Sequence, residues 1–598
     1  MLKLYLAQIN PIVGDIKQNH RLIIRHIEKA AASGADIVTF PELALTGYPP
    51  EDLLLKTAFI NENSKYIEKI SKEVGDIIAI VGFAGNARGS IYNSAAIMSG
   101  ARIVSVYNKQ YLPNYSVFDE ERYFRKGDTN YIYKIRDHLI AVNICEDIFY
   151  ASGPTRIQSI TGGAELIINI SASPYHTEKI PAREKMLSVR AADNIVNLVY
   201  VNLVGGQDEL VFDGNSLIIN EKGKIIGRCK PFTEDHLIAE IDPSTSQTAR
   251  VKDAKFKDQK LKIAGAGHSI KIIDLDSKET KDNTKMVSGD SPAGKSQSGA
   301  LVQIEKNPVK YSDLISCPEE EVLKALVLGT RDYIVKNGFN KVVIALSGGI
   351  DSAITTAIAT LAIGKENVTA VLMPSDFSSK GSIDDSVTLA NNLGIKYTTI
   401  PIAGIYGTYL KELKGIFKTG DINVTKENIQ ARIRGAVIMA FSNENNWLVL
   451  STGNKSEISV GYCTLYGDMV GGFSPIKDVY KTMVYSVSRF INKKYGGPIP
   501  ENILTKAPSA ELRPDQKDQD KLPPYDMLDQ ILKAYIEDDR GYKTIVDMGF
   551  DPIVVKDVLN MVDNSEYKRR QGSPGVKITA RAYGKDRRYP ITNGFKLH

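Results

Sequence analysis

Three residues in the first quarter of the chain each follow or interrupt an apolar run and carry a reactive side chain. Glu42 supplies a carboxylate, Lys109 an ammonium group and Cys145 a thiol. A thiol attacks well only as the thiolate, so it needs a nearby base and a nearby positive charge. Glu42 can take the proton, and Lys109 can stabilise the thiolate and the oxyanion that its attack creates. Together they predict covalent catalysis by Cys145, although each residue alone is as typical of a core or turn position.

A second group of chemistry-bearing residues lies near the middle of the chain. Residues 347–352 have the sequence Ser-Gly-Gly-Ile-Asp-Ser, between an apolar run predicted to be a buried parallel strand and a stretch of helical length. Such a turn binds anions, because the glycines let the backbone approach phosphate and the helix N-terminus favours negative charge. Asp351 is the candidate ligand for Mg²⁺, since a hard cation prefers carboxylate and phosphate oxygens. An ordinary glycine-rich turn is the alternative.

This string resembles the pyrophosphate loop of ATP pyrophosphatases, which cleave ATP to AMP and pyrophosphate. The resemblance implies that ATP is a co-substrate and that the loop binds it through Leu346, Ser347, Gly348, Gly349, Ile350, Asp351 and Ser352. A rival phosphate motif, residues 289–296, satisfies the Walker A pattern letter by letter. A polar, charged run precedes it instead of an apolar strand, so we interpret that match as accidental.

The composition limits the classes of partner. A chain of 598 residues predicts several domains, and a net charge of +5 is small for that length. We therefore expect neither nucleic acid nor a membrane surface as a partner. The sequence shows no apolar run of membrane-spanning length and no signal-peptide pattern at Met1. The four cysteines show neither metal-ligand spacing nor a disulfide framework, which favours the cytoplasm.

The chain divides into three segments by pattern. Residues 1–243 alternate short β-branched runs with helical stretches, which predicts an α/β domain. Residues 244–317 are rich in Lys, Asp, Ser, Thr and Gly and predict a linker, with residues 276–299 as its disordered part. Residues 318–598 form a second α/β pattern, with strands predicted at 341–346, 367–373, 396–402 and 447–451.

The first domain resembles the nitrilase, or carbon–nitrogen hydrolase, superfamily. The similarity lies in Phe-Pro-Glu-Leu around Glu42, in Lys109 and in Ile-Cys-Glu-Asp around Cys145. It implies a four-layer αββα sandwich in which Cys145 is the nucleophile, Glu42 the base and Lys109 the third catalytic residue. The residues that it implies for holding the α-amino and α-carboxylate groups of glutamine are Tyr115, Ser173 and Lys179. Many relatives have Trp where this chain has Phe149, so the detail of the amide pocket is expected to differ.

The second domain resembles NAD⁺ synthetases. The motifs include Ser-Thr-Gly-Asn-Lys-Ser-Glu at 451–457, Thr-Leu-Tyr-Gly-Asp at 464–468 and the tail at 574–590. The resemblance implies a doubly wound parallel α/β nucleotide-binding domain, with ATP also held by Thr452 and Lys481. It assigns deamido-NAD⁺ to Asn428, Arg432, Glu457 and Lys577, and Mg²⁺ to Asp351 and Glu457. Basic residues such as Arg432 and Lys577 suit a substrate with a pyrophosphate and a carboxylate. Leu465 replaces a Lys of the shorter, ammonia-using relatives, so that contact is not expected here.

The two resemblances together imply a glutamine amidotransferase. One site would release ammonia from glutamine, and the other would make the adenylate of deamido-NAD⁺ that captures it. The family resemblance further implies a homo-oligomer and a sheltered passage for ammonia. Three alternatives remain open from the sequence: an amidotransferase with another carboxylate or nucleotide acceptor, a tRNA-modifying pyrophosphatase, and a nucleotide sensor with an inactive amidase.

Overall fold

The computed structural model describes residues 1–87, 89–264, 269–276, 309–417 and 423–595. The chain forms two compact units. The first unit contains residues 1–207 and 212–314, and the second contains residues 208–211 and 315–598. The Walker-like residues 289–296 lie outside the described residues. Over the part of the chain that the structure describes, no helix is both long and apolar enough to cross a bilayer.

The first unit is built from two β-sheets and the helices that cover them. The strands of this part of the chain are β1 (Leu2–Gln8), β2 (Ile37–Thr39), β3 (Ile78–Ala87), β4 (Ser90–Ser99), β5 (Arg102–Asn108), β6 (Asn130–Ile135), β7 (His138–Ile144), β8 (Leu166–Ser171), β9 (Asn197–Asn202), β10 (Val204–Gln207), β11 (Leu210–Asp213), β12 (Leu217–Ile219), β13 (Ile225–Arg228), β14 (Asp235–Ile241) and β15 (Ile270–Asp274). The helices are α1 (Ile16–Ala32), α2 (Thr57–Glu73), α3 (Pro154–Arg156), α4 (Lys179–Asn194), α5 (Ser244–Lys252), α6 (Ala254–Ala264) and α7 (Tyr311–Leu314).

The two sheets pack face to face. One has the order β14-β1-β2-β3-β4-β5, and the other has the order β13-β12-β9-β8-β7-β6-β15. Alternate residues of β1 point to opposite faces, so Leu4 joins the core between the sheets while Tyr5 packs towards α1 and α2. On the outer face of the second sheet, Leu187 of α4 packs against Ile167. The predicted four-layer αββα sandwich is confirmed.

The central strands of the second sheet determine where the reactive side chains lie. β7, β8 and β9 run parallel, and Ile144 at the end of β7 is paired with Ile170 of β8. The carboxyl ends of parallel strands meet at one edge of a sheet, so residues that follow β7 and β8 become neighbours. This arrangement places Cys145 beside the segment that begins at Ala172.

The segment predicted as a linker is partly built into the first unit. Residues 244–264 form α5 and α6, and β15 pairs in parallel with β6 at the edge of the second sheet. Arg250 of α5 is buried and donates to the carbonyl oxygens of Ala164, at 2.7 Å, and Ile195, at 3.0 Å. A polar composition therefore does not make residues 244–264 a free linker, because backbone acceptors satisfy the buried guanidinium of Arg250. The bounds of the three predicted segments, 1–243, 244–317 and 318–598, remain predictions.

The second unit is a parallel sheet surrounded by helices. Its strands are β16 (Val342–Ala345), β17 (Val368–Leu372), β18 (Lys396–Thr399) and β19 (Leu448–Leu450). Its helices are α8 (Pro318–Lys336), α9 (Ile350–Ile363), α10 (Lys380–Leu393), α11 (Ala403–Glu412), α12 (Val424–Asn445), α13 (Lys455–Val460), α14 (Lys481–Tyr495), α15 (Glu501–Thr505), α16 (Tyr525–Ile536), α17 (Tyr542–Val546), α18 (Pro552–Asn564) and α19 (Glu566–Arg569).

The sheet order is β18-β17-β16-β19, and every pairing in it is parallel. All four strands predicted from the sequence are confirmed, with bounds one to three residues shorter at an end. Apolar residues of α11 and α12 pack on the sheet around Val343, while α13, α16 and α18 share a separate core that includes Leu528. The carboxyl ends of β16 and β19 lead into the phosphate-loop residues and α13, respectively.

Candidate active sites

Cys145 stands at a strained turn directly after β7. It is buried, it begins the short 3₁₀ helix Cys145–Ile148, and its φ is +42°, a left-handed value that costs energy for a residue other than glycine. The carboxylate of Asp147 stabilises this turn, accepting hydrogen bonds from the backbone N–H of Ile144 at 3.0 Å and of Tyr111 at 2.9 Å. Asp147 thus links the turn of Cys145 to the segment that carries Lys109.

Glu42 and Lys109 form a buried ion pair. Lys109 Nζ donates to Glu42 Oε1 at 2.7 Å, and Asn93 Nδ2 donates to the same oxygen at 2.7 Å. The other oxygen, Glu42 Oε2, accepts from the backbone N–H of Ala172 at 2.8 Å. A glycine lets β3 approach this carboxylate: a Cβ on Gly82 would lie 2.4 Å from the backbone of the segment around Glu42. The donors that hold the two carboxylate oxygens of Glu42, namely Lys109, Asn93 and Ala172, thus come from three separate parts of the chain.

Glu120 is a third member of the cluster, and the sequence did not reveal it. Lys109 Nζ donates to Glu120 Oε1 at 2.8 Å, and Tyr48 Oη donates to the same oxygen at 2.8 Å. Burial raises the pKa of Glu120 from 4.5 to about 7, partly offset by the charge of Lys109. Glu120 sits in an acidic run with Asp119 and Glu121, so charge alone could not separate the buried carboxylate from its exposed neighbours. Only the fold distinguishes it.

The electrostatic environment keeps the Cys145 thiol protonated at rest. Burial raises its pKa well above the ordinary value, and the charge of Glu42 raises it further, while Lys109 lowers it. A thiolate can therefore form here only as its proton is transferred to a neighbouring base. Of the carboxylates that raise the pKa of this thiol, Glu42 has the largest effect.

The residues predicted to bind glutamine lie around this cluster. Tyr115 is half exposed, and its hydroxyl donates to Glu146 Oε1 at 3.0 Å, next in the chain to Cys145. Ser173 is buried next to Ala172, which contacts Glu42, and its backbone N–H donates to Asn202 Oδ1 at 2.9 Å. Lys179 Nζ donates to the carbonyl oxygen of Pro174 at 2.5 Å. The structure thus brings these three segments to the same end of the sandwich.

The phosphate-loop string forms the predicted strand–turn–helix. β16 ends at Ala345, and α9 begins at Ile350 with Gly349 as its N-cap residue. Gly348 has φ +77°, and a Cβ there would lie 2.3 Å from the carbonyl oxygen of Ser382, so only glycine fits. Ser347 and Ser352 close the turn through their hydroxyls, which are 3.2 Å apart.

Two carboxylates meet at one ammonium group beside this loop. Lys481 Nζ donates to Asp351 Oδ2 and, at 2.9 Å, to Glu457 Oε1. Asn454 connects the pair, donating to Asp351 Oδ1 at 2.8 Å and capping the helix that carries Glu457. Burial raises the pKa of Glu457 to about 8. Among the described residues no group of three or more His, Cys, Asp or Glu forms a ready-made metal cage.

A cavity of about 310 Å³ opens between the carboxyl ends of the strands in the second unit. The predicted residues that line it are Leu346, Ser347, Gly349, Ile350, Asp351, Ser352, Thr452, Glu457 and Lys481. Seven charged residues of the lining were not among the predicted site residues: Arg434, Asp468, Lys477, Lys506, Glu511, Asp518 and Arg569. None of them lies in the phosphate-loop string, and Lys506 and Glu511 follow no strand and carry no signal of their own.

Three of the predicted deamido-NAD⁺ residues lie apart from the lining of this cavity. Asn428 Oδ1 accepts from the hydroxyl of Thr464 at 2.8 Å, and Arg432 is exposed and donates to the carbonyl oxygen of Leu465 at 3.2 Å. Lys577 is buried, and its Nζ donates to Thr579 O, Ala580 O and Asp586 Oδ2. Those contacts use all three donors of an ammonium group, so the expectation that Lys577 offers a positive charge to an anion finds no support in this geometry.

Comparisons with known proteins agree with this two-part arrangement. The carbon–nitrogen hydrolase family matches residues 3–251, and the NAD synthase family matches residues 322–572. The fold and the two sites thus define a carbon–nitrogen hydrolase joined to an NAD synthase.

Full-length relatives extend the match. The chain is 45% identical over 598 residues to the glutamine-dependent NAD(+) synthetase of Thermotoga maritima, covering 100% of this chain and 99% of that one. It is 44% identical to that of Aquifex aeolicus, with 100% of both chains covered. A solved structure of the Acinetobacter baumannii synthetase in complex with ADP has 38% identity and a TM-score of 0.72, covering 100% and 99% of the two chains. The chain belongs to the family of glutamine-dependent NAD⁺ synthetases.

Proposed function

We propose that the protein converts deamido-NAD⁺, ATP and glutamine into NAD⁺, AMP, pyrophosphate and glutamate. The observation that carries this proposal is the full-length identity of 45% to a relative named for the same activity. The geometry supports its two halves separately: a buried thiol with a base and an ammonium group in the first unit, and a phosphate-binding turn at a cavity in the second.

The first half-reaction uses Cys145, Glu42 and Lys109. Glu42 takes the thiol proton as the sulfur attacks the side-chain amide carbon of glutamine, forming a tetrahedral intermediate. Lys109 stabilises the negative charge that develops, and the proton held by Glu42 passes to the departing nitrogen, so that ammonia leaves. Water then hydrolyses the thioester to release glutamate and restore the thiol.

Glu120 fixes the ammonium group that this chemistry needs. Lys109 Nζ lies 2.7 Å from Glu42 and 2.8 Å from Glu120, so it stays in place while the charge of Glu42 changes. Tyr115, Ser173 and Lys179 are the residues we assign to the α-amino and α-carboxylate groups of glutamine. The Tyr115 hydroxyl donates to Glu146, which follows Cys145 in the chain, and Ser173 follows Ala172, whose backbone N–H donates to Glu42.

The second half-reaction takes place at the phosphate-loop cavity. The carboxylate oxygen of deamido-NAD⁺ attacks the α-phosphorus of ATP, and the electron pair of the broken bond leaves with pyrophosphate. Ammonia then attacks the adenylated carbonyl carbon and loses a proton to solvent, and AMP leaves with the electron pair of the broken C–O bond. We assign ATP to the loop residues 346–352, Thr452 and Lys481. We assign deamido-NAD⁺ to Asn428, Arg432 and Glu457, and we keep Lys577 as a prediction that needs a rearrangement of its three hydrogen bonds.

The carboxylates of Asp351 and Glu457 fit a magnesium ion. They converge on one cation, Lys481 Nζ, so an oxygen of each already faces a common positive centre. Magnesium binds proteins through one or two carboxylates and completes its shell with water and substrate phosphate, so the absence of a third ligand does not disfavour it. When bound there, Mg²⁺ would neutralise charge on the α-phosphate under attack.

The two sites must exchange ammonia efficiently. In neutral water ammonia is mostly ammonium, which is no nucleophile, so we propose a sheltered passage and a homo-oligomer that helps to form it. We also propose the cytoplasm as the compartment, where each of the four cysteines, all described and all unpaired, would stay reduced. Sedimentation of the purified chain tests the oligomer: a monomer at assay concentration would contradict it.

The test of the function is product formation with a panel of acceptors. We expect NAD⁺ from deamido-NAD⁺, and no amidated product from nicotinate, xanthosine monophosphate or tRNA. The control is Asp351→Ala, which should make no product with any acceptor. If another acceptor is amidated and no NAD⁺ forms, that acceptor and not deamido-NAD⁺ is the substrate.

A further inference from the structure

Asn93 is a buried amide that contacts two residues of the amidase cluster. It lies on β4 and is fully buried, and its Nδ2 donates to Glu42 Oε1 at 2.7 Å. Its backbone carbonyl oxygen accepts from the backbone N–H of Lys109 at 2.8 Å. Asn93 thus holds the base through its side chain and the ammonium-bearing residue through its backbone, although the half-reaction described above gives it no part.

The orientation of the Asn93 amide follows from its partner. An ionised carboxylate accepts hydrogen bonds and donates none, so the NH₂ end of the amide must face Glu42 Oε1. The other end of the amide, Oδ1, is buried and has no hydrogen-bond partner among the described residues. Within the part of the chain that the structure describes, the side chain of Asn93 therefore makes its hydrogen bond to the base.

The two oxygens of Glu42 are occupied unequally. Oε1 accepts from Asn93 Nδ2 and from Lys109 Nζ, each at 2.7 Å. Oε2 accepts one hydrogen bond from the described residues, from the backbone N–H of Ala172 at 2.8 Å. An ionised carboxylate has about four acceptor positions, two on each oxygen. The two donors fill Oε1, so the position open to the proton of the Cys145 thiol is on Oε2.

Lys109 does not create this asymmetry without Asn93. Its Nζ donates once to Glu42 and also donates to Glu120 Oε1 at 2.8 Å. With Lys109 and Ala172 as the remaining donors, each oxygen of Glu42 would have one donor and one open position. The hydrogen bonds would then no longer direct the proton to one oxygen or hold the carboxylate in one orientation.

We propose that Asn93 is a positioning residue for the base: it fills Glu42 Oε1 and directs the proton of the Cys145 thiol to Oε2. In this step the S–H bond breaks, its electron pair stays on sulfur, and the proton forms a bond to Oε2. Lys109 stays on Oε1 and so remains in place to stabilise the oxyanion. The inference rests on the proposed hydrolysis of glutamine at Cys145 and adds a residue that acts through Glu42.

The first test removes the donor. Asn93→Ala is assayed for glutamate release from glutamine, with ATP and deamido-NAD⁺ present, and for NAD⁺ synthesis from ammonium salt. A hydrogen bond to a charged group is worth about 10- to 100-fold, so kcat for glutamate release should fall by that factor. KM for glutamine should stay within about threefold of wild type, because Asn93 acts on proton transfer and not on binding. Ammonium-driven synthesis should not change, because adenylation does not use Glu42.

Asn63 provides a matched control for the loss of a buried amide. It lies on α2 and is also fully buried, and its Nδ2 donates at 2.6 Å to a neutral acceptor, the carbonyl oxygen of Ala84. Its Oδ1, like that of Asn93, has no partner among the described residues. Ala84 is paired with Asn93 across β3 and β4, so the two amides lie in the same part of the unit. Asn63→Ala should lose unfolding free energy as Asn93→Ala does, but it should keep its kcat for glutamate release.

Asn93→Asp separates positioning from packing, because it keeps the size of the side chain and makes the donor depend on pH. A protonated Asp donates to Glu42 Oε1 as the amide does, whereas an ionised Asp offers no donor and adds a negative charge. Glu42, Lys109, Glu120 and Cys145 are present in every variant, so each rate is divided by the wild-type rate at the same pH. This relative rate should rise for Asn93→Asp as the pH falls from about 8 to about 5, and it should stay constant for Asn93→Ala.

Three results would overturn this inference alone. These are a kcat for Asn93→Ala within about threefold of wild type, an equal fall of kcat in Asn63→Ala, and the same relative pH dependence in Asn93→Asp and Asn93→Ala. If Asn93→Ala does not fold, which loss of ammonium-driven synthesis would reveal, the pH dependence of Asn93→Asp decides. A wild type that releases no glutamate from glutamine would instead refute the proposed function, and the inference with it.

Discussion

Replacing Glu42 by Gln tests the base at the amidase site, and the structure gives the size of the effect on stability. Glu42 Oε1 accepts from Lys109 and Asn93, and Oε2 accepts from the backbone N–H of Ala172. A carboxamide has one acceptor and one donor end, so at least one of these buried N–H groups must face another donor. An unsatisfied buried donor costs about 1–3 kcal/mol of unfolding free energy. Lys109 keeps Glu120 as a partner at 2.8 Å, so the larger cost of an isolated buried charge is avoided.

The effect on activity should be larger and confined to one nitrogen source. Because a general base contributes about 100- to 10,000-fold to a rate, its loss should lower glutamine-driven NAD⁺ synthesis by that factor. Synthesis from added ammonium salt should stay within about twofold of wild type, because adenylation does not use Glu42.

The assay compares NAD⁺ formation from glutamine and from ammonium, together with urea unfolding of the same samples. Glu165→Gln is the control, since Glu165 is a buried carboxylate of the same unit whose side chain contacts His138 at 3.0 Å. It should lose stability without losing glutamine-driven synthesis. If Glu42→Gln keeps glutamine-driven synthesis within tenfold of wild type, Glu42 is not the base.

Three further predictions follow from the two sites. Cys145→Ala should abolish glutamine-driven synthesis and preserve ammonium-driven synthesis in steady-state assays; loss of both in a folded protein would make Cys145 structural. Asp351→Asn should remove synthesis from either nitrogen source, because its amide cannot accept from both Asn454 and Lys481; ammonium-driven activity above about a tenth of wild type would contradict the assignment. Glu120 has a folded pKa of about 7 against an ordinary 4.5, so its stabilising contribution is complete below pH 4.5 and is lost as the pH rises through 7. Glu120→Gln, which stays neutral, should therefore weaken the fall in unfolding free energy over that range, and an unchanged pH profile would show that Glu120 is already ionised.

Much of the fold could be predicted from the sequence because its signals are local. The strands of the second unit are short β-branched runs between polar turns, and all four were found within three residues of their ends. The loop at 347–352 was found because glycine, serine and aspartate stand in order between a strand and a helix. The αββα layering came from the resemblance to a family, since alternation within one strand does not reveal which sheet faces which.

The contacts that complete each site could not be predicted in this way. Glu120 acts through a position beside Lys109 that only tertiary packing creates. Lys577 illustrates the same limit, because its ammonium group donates to two backbone carbonyl oxygens and to Asp586, and its assignment to deamido-NAD⁺ stays a prediction. Residue type indicates what a side chain can bind, but only the fold determines which partner it has.

The central claim is that one chain takes the amide nitrogen of glutamine and places it on deamido-NAD⁺. The most direct measurement supplies glutamine labelled with ¹⁵N at the side-chain amide, together with unlabelled ammonium, and determines by mass spectrometry the label in the NAD⁺ formed. Glutamate is quantified in the same samples, and an ammonia-scavenging enzyme is added in a parallel reaction. We expect ¹⁵N in the carboxamide of NAD⁺, about one glutamate per NAD⁺ formed from glutamine, and no loss of labelled product with the scavenger. NAD⁺ that carries only unlabelled nitrogen, or labelled product that vanishes with the scavenger, would contradict the account, because the nitrogen would then reach the second site through bulk solvent.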